Sequence, residues 1–201
     1  MDGEPFDPEA LQSLLASLAS DHDELGVRLR TLTHTAKSQN DEVRLHGHYF
    51  AFRGGTPTVA EFVELLSQKL VSFCMSRRQI NTAYESWKDL PPPKQIERAI
   101  ELRNRAYDLF KRAHRKTSRN GEFGEVITYL LIEHVLKAPQ LVSKMSLKTS
   151  PQMPVHGSDG IHVSFDAATG GLTLLWGESK CYGSVTAALG EAVNSVAENL
   201  Q

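Results

Sequence analysis

Two apolar stretches joined by a short glycine-bearing turn constrain the C-terminal half of this 201-residue chain more than any other feature. Ile161-His162-Val163-Ser164-Phe165 alternates apolar and polar residues, the period of a half-buried strand. Asp166 to Gly171 is turn material, with two glycines available for positive φ. Leu172-Thr173-Leu174-Leu175-Trp176 reads as the returning strand, buried toward its end. With the turn centred near residue 169, antiparallel pairing sets Asp159 opposite residue 179, to within about two positions.

The charges sit at the open end of that hairpin. Asp159 stands nineteen residues before Glu178, and Glu178-Ser179-Lys180 closes the apolar run. Glu178 and Lys180 share one face of a strand. The register leaves open whether Asp159 shares it. Ser179 points away, but its backbone carbonyl is close enough to serve as a further oxygen ligand. Two carboxylates can hold a hard cation such as Mg²⁺, with Mn²⁺ as its substitute. A lysine beside them can position and polarise water for attack on phosphorus. A lone Glu-x-Lys is usually a solvated strand end, and a lone Asp at a strand start is usually a turn cap. What raises the signal is the set: Gly157-Ser158-Asp159-Gly160, a hairpin, then Gly177-Glu178-Ser179-Lys180. Charges that close a buried strand need a reason. A metal-dependent phosphodiester-cleaving site and a solvated hairpin end both remain open here.

A third carboxylate comes from upstream. Residues 121–137 read as a helix, with apolar positions 123, 126, 127, 130, 131 and 134/135, and Pro139 beyond it as a stop. Its wide apolar face suits packing on a sheet. Glu122 and Glu125 fall in the first turn, where they complement the helix dipole. Alternatively one of them faces the metal. Glu125 is favoured, because Gly124 flanks it and it continues into the buried stripe. Val142 to Thr149 supplies a strand, and Ser184 to about Asn199 a last helix with Val185, Ala188, Leu189, Ala192, Val193, Val196 and Leu200 on one face. The fold class is mixed, α+β or α/β. A core over 116–201 runs helix-strand-strand-strand-helix, after an accessory and mainly helical region over 1–115.

That order resembles the PD-(D/E)XK nuclease superfamily. The chain also resembles the Hachiman anti-phage defence nuclease family, HamA. The likeness rests on Phe123-Gly124-Glu125-Val126-Ile127-Thr128-Tyr129, on Gly157-Ser158-Asp159-Gly160-Ile161-His162 and on Gly177-Glu178-Ser179-Lys180-Cys181-Tyr182. Leu45-His46-Gly47-His48-Tyr49-Phe50-Ala51-Phe52, followed by Phe62-Val63-Glu64-Leu65-Leu66, also fits. The resemblance implies a DNase that works with a superfamily-2 helicase, HamB, against phage. It implies metal ligands at Asp159 and Glu178, the catalytic lysine at Lys180 and the helix carboxylate at Glu125. His162 matches a family position with no role assigned. A complete core of this fold adds a strand after the last helix, so the expectation is a core lacking that strand, with a partner able to complete its sheet.

The N-terminal region reads as a helix from Pro8 to about Leu18 and a strand from Glu42 to Arg53 ended by Gly54-Gly55. A helix from Thr58 to Met75 follows, with Val59, Phe62, Val63, Leu66, Leu70, Phe73 and Cys74 inward, Thr58 as N-cap and Glu61 three later. Asn81–Lys88 is helical, Pro91-Pro92-Pro93 breaks the chain, and Gln95 to about Arg115 is a long helix with Ile96, Ala99, Ile100, Leu102, Ala106 and Phe110 inward.

Net charge is −2, so the whole molecule is no generic polyanion binder. Lys111, Arg112, Arg115, Lys116 and Arg119 nevertheless put five positive charges just before the core helix. They fit a track for nucleic-acid phosphates and equally a solvated helix end. The acidic N-terminus is unlike a secretory signal, and no apolar run reaches the ~20 residues of a membrane span. The expectation is a cytoplasmic protein with no membrane partner. Cys74 reads as a buried small hydrophobe, Cys181 as packing. His46 and His48 read as a strand-surface pair without a third ligand. No P-loop, His-Glu-x-x-His or dinucleotide fingerprint is present, so a partner must supply any ATP hydrolysis. The rival from another class is a non-catalytic subunit that binds or regulates a helicase.

Overall fold

A computed structural model describes residues 7–18, 22–37, 42–117, 121–142, 159–166 and 169–199. In order these form α1 (Pro8–Leu18), α2 (Glu24–Arg28), β1 (Leu29–Lys37), β2 (Glu42–Phe50), β3 (Phe52–Arg53), β4 (Thr56–Pro57), α3 (Val59–Cys74) and α4 (Arg77–Trp87). They continue with α5 (Pro92–Thr117), α6 (Gly121–Leu136), β5 (Gln140–Val142), β6 (Gly160–Asp166), β7 (Gly171–Gly177) and α7 (Val185–Asn199). The protein is thus a mixed helix-and-sheet molecule with seven helices and small antiparallel sheets among the described residues. Two compact units divide within α3: Asp21–Gln68 is one, and Met1–Ser20 with Lys69–Gln201 is the other. The 115/116 boundary read from the sequence lies inside the second.

In the smaller unit β1 and β2 pair antiparallel from Leu29↔Phe50 to Lys37↔Glu42. The sequence reading assigns no element to residues 24–37, where α2 and β1 stand. Its missed signal was the threonine alternation at 31, 33 and 35, since β-branched residues suit a pleated strand. The single strand expected over 42–53 breaks at Ala51, whose amide donates to the Arg28 carbonyl. Gly54 and Gly55, at φ 56° and 81°, then turn the chain between β3 and β4. Thr58 holds the expected N-cap position of α3, its carbonyl accepting the Phe62 amide (3.0 Å), but its side chain does not bond to the helix. Its hydroxyl donates instead to the carbonyls of Arg28 (2.6 Å) and Ala51 (3.1 Å).

In the larger unit β5, β6 and β7 form an antiparallel sheet in that order. β6 is central, and α6 packs on it through Tyr129, whose ring lies 6.1 Å from that of His162. Phe73, Phe110, Phe123 and Tyr129 extend the core as a chain of tilted and edge-on rings. Ser76 and Gln79 close a reciprocal capping box that starts α4 four residues before the expected Asn81. The three prolines do separate α4 from α5, yet Pro92 and Pro93 open α5, because the first helical turn needs no amide donors.

Several expected inward stripes are only partly buried. On α5, Leu102, Ala106 and Phe110 are buried while Ile96 and Ile100 are exposed, and on α3 Val59 and Val63 are exposed. Only the part of a stripe that meets a neighbour loses water. Val185, Leu189 and Val193 of α7 are exposed as well. The strand expected over 142–149 is found at 140–142, and residues 143–150 lie outside the described part. β7 is not the buried strand expected: at the edge of the sheet among the described residues, it leaves Leu172, Leu174 and Trp176 exposed. His162, expected on the polar side of β6, is buried together with Val163, because a central strand is covered on both faces.

Candidate functional site

The register of β6 on β7 runs from Gly160↔Gly177 to Asp166↔Gly171. One step beyond the paired residues, Asp159 stands opposite Glu178 rather than residue 179. The Asp159 amide donates to the Gly177 carbonyl (2.8 Å), and Asp159 Oδ2 accepts the Ser179 amide (2.8 Å). These two bonds fasten the open end of the hairpin and settle that Asp159 and Glu178 meet there.

Glu178 is the most constrained of the group. Its side chain is 8 % exposed, and Oε1 accepts from Lys180 Nζ at 2.7 Å and from Ser195 Oγ of α7 at 2.9 Å. Oε2 is buried and accepts no hydrogen bond among the described residues. A buried carboxylate oxygen without a donor is costly, and a cation is one group that removes the cost. Lys180 is held above the ordinary lysine range, first by its hydrogen bond to Glu178 and then by the charges of Glu178 and Asp159, against the opposing effect of burial. It is therefore an ammonium at neutral pH.

The start of α6 sets this segment in place. A Cβ added at Gly124 would collide with Ser179 Oγ and lie 2.6 Å from Cys181 Sγ. Glycine is what lets the helix approach the Glu178-to-Cys181 chain so closely. Between them and α7 opens a cleft of about 460 Å³, lined among others by Ile127, Thr128, Glu178, Lys180, Tyr182 and Ala192.

The HamA family model matches residues 27–201. The chain belongs to the HamA family. Membership implies an anti-phage defence protein. Neither the curated proteins nor the solved structures compared with the chain gave a match.

This HamA chain brings Asp159, Glu178 and Lys180 together, and the Ser179 backbone with them. Glu125 stands next to Gly124 at the start of α6. It is buried, and its charge acts on the Cys74 thiol, which is pushed up to about 12, first by burial and then by Glu125. Among the described residues no group of three or more His, Cys, Asp and Glu is arranged to hold a metal ion. Two carboxylates suffice for Mg²⁺ when water and substrate phosphate complete its shell. Asp159 and the donor-free Glu178 Oε2 are oxygen donors of the chemical kind that such an ion takes.

His162 is buried with Nδ1 2.9 Å from the Ala138 carbonyl, so Nδ1 carries the hydrogen and donates. Burial lowers its pKa against the raising effects of that bond and of Glu133. Its place is in the sheet core, beneath Tyr129. Of the basic run, Lys111 lies 4.5 Å from the Tyr107 ring as a cation–π pair and Arg112 is exposed. The side chains of Arg115 and Lys116, and all of Arg119, lie outside the described residues. His46 and His48 stack at 6.5 Å on β2 and contact Thr33 and Thr31, as a surface pair would. Cys181 is exposed on the cleft, with its Sγ set against Gly124 of α6. No helix among the described residues is long and apolar enough to cross a membrane. Ser195 escaped the sequence reading. Nothing local marks one serine of a helix as the neighbour of a glutamate seventeen residues earlier.

Proposed function

We propose that this HamA chain is a metal-dependent DNA nuclease of the PD-(D/E)XK kind, acting in the cytoplasm with a superfamily-2 helicase in defence against phage. The observation that carries the reading is the asymmetry of Glu178. A structural ion pair would account for Oε1, which has two donors, and leave no reason for a buried, donor-free Oε2. Family membership supports the defence setting, and the chain order α6-β5-β6-β7-α7 is compatible with the superfamily's core.

Asp159, Glu178 and the Ser179 carbonyl would hold Mg²⁺ or Mn²⁺. Such an ion supplies a water acidified toward neutral pKa and a Lewis acid for the phosphoryl oxygen. Lys180 enters as an ammonium, so its part is to orient the attacking water and to balance charge that gathers on the phosphoryl oxygens, not to remove a proton. Asp159 spends Oδ2 on the Ser179 amide and so fixes the peptide whose carbonyl joins the ligands.

The test is cleavage of plasmid and linear DNA by purified protein with Mg²⁺ or Mn²⁺. Wild type should nick or degrade DNA, and Glu178→Gln or Lys180→Ala should lower the rate about 100-fold or more with the fold intact. Undiminished cutting by the Glu178→Ala/Lys180→Ala double variant would end the assignment. The exposed apolar residues of β7 and α7 favour a second reading, a non-catalytic subunit that binds a helicase. Absence of metal-dependent cleavage both alone and with the helicase would select it.

A further inference from the structure

We propose that Ser195 is a positioning residue: from α7 it clamps the Glu178 carboxylate so that Oε2 faces the cation. The inference rests on the reading of Asp159 and Glu178 as metal ligands. Glu178 Oε1 receives both of its donors from different elements, Lys180 two residues along the chain and Ser195 from the last helix. With one donor a carboxylate still turns about its last torsion, a broad and shallow rotation. With two donors on the same oxygen, the other oxygen is fixed in space. Lys180 cannot supply this alone, because it belongs to the same short segment and moves with it, and because its charge is wanted by the phosphate. Ser195 is neutral, short and half-buried on a helix, so its hydroxyl fixes direction without competing for the cation. Groups that hold a metal ligand from behind typically change metal affinity about 10–100-fold when removed.

The test reads metal binding directly. Free Mn²⁺ is measured by electron paramagnetic resonance during titration of the full chain without DNA, for wild type, Ser195→Ala, Ser195→Thr and Glu178→Gln. Ser195→Ala keeps or improves helix propensity, so α7 is retained. It should bind Mn²⁺ about tenfold or more weakly, and Ser195→Thr, which keeps the hydroxyl, should bind nearly as wild type. In cleavage assays the Mn²⁺ concentration for half-maximal rate should rise in Ser195→Ala, with a much smaller loss of rate at saturating Mn²⁺. Glu178→Gln separates the two ideas. If it abolishes binding while Ser195→Ala binds as wild type, the positioning role is overturned and the metal reading stands. If Glu178→Gln binds as wild type, the metal reading itself fails and this inference with it. Equal weakening in Ser195→Ala and Ser195→Thr would assign the effect to packing and overturn the clamp.

Discussion

The two cysteines show how far environment separates identical side chains. Cys74 is buried and its thiol is pushed up to about 12, whereas Cys181 is exposed on the cleft beside Lys180. The thiolate is the reactive form. At pH 8 iodoacetamide should therefore modify a single thiol of the native chain, Cys181, and reach Cys74 only after denaturation. Intact and peptide mass spectrometry would read this, and equal native rates at both sites would contradict the burial assigned to Cys74. His162 offers a second residue-level check. Its folded pKa lies below the ordinary 6.5. The unfolded chain then binds the proton more readily, so His162's contribution to stability is complete above about pH 6.5 and declines as pH falls through the folded value. His162→Asn keeps a donor for the Ala138 carbonyl but does not titrate. The melting temperature of wild type should drop more steeply than that of His162→Asn below pH 6.5, and parallel profiles would refute the assignment.

At the scale of elements, the approach of α6 to the Glu178–Cys181 segment depends on one missing methyl. Gly124→Ala would gain up to about 1 kcal/mol of helix propensity but must displace Ser179 and Cys181, and overpacking of this kind costs about 1–3 kcal/mol. Net destabilisation is expected and, on the proposed nuclease reading, a loss of cleavage, because the displaced segment carries Glu178 and Lys180. Chemical denaturation checks the first effect. In a Ser179→Ala/Cys181→Ala background both colliding groups are gone, so the same change should be nearly neutral. A persistent penalty there would show that the collision is not the cause. Much of this arrangement was legible in the sequence. The turn glycines and the flanking alternation give β6 and β7, and the period of 3.6 gives α1, α3, α5, α6 and α7. The register came within one residue, because a hairpin's turn ties its strands together. What was not legible depends on contacts between elements. The helical period cannot say that Ile96 and Ile100 meet no neighbour, or that β7 lies at an edge. It cannot say that Glu125 is buried with its charge acting on Cys74 or that Ser195 reaches Glu178. Three buried glutamates on α6 defeat a polarity rule altogether, since Glu133 is admitted to the interior by accepting the Gln140 amide.

For the molecule as a whole, a net charge of −2 means that long-range attraction to DNA is absent and any affinity must be local. The described part of that local charge is unequal. Lys111 already rests on the Tyr107 ring, while Arg112 of the same helix is exposed. A guanidinium in water matches phosphate as a fork, and each neutralised phosphate contributes about 0.9 to the slope of log affinity against log salt on duplex DNA. Arg112→Ala should then weaken DNA binding to a similar degree across unrelated sequences and flatten the salt slope by about one. Lys111→Ala should do less of both, because that ammonium is partly engaged. Fluorescence anisotropy across a salt series, with the Glu178→Gln variant to prevent cutting, gives both quantities. If Arg112→Ala shifts affinity without altering the slope, the residue acts on the fold of α5 and not on phosphate. If neither quantity moves, the basic run is a solvated helix end.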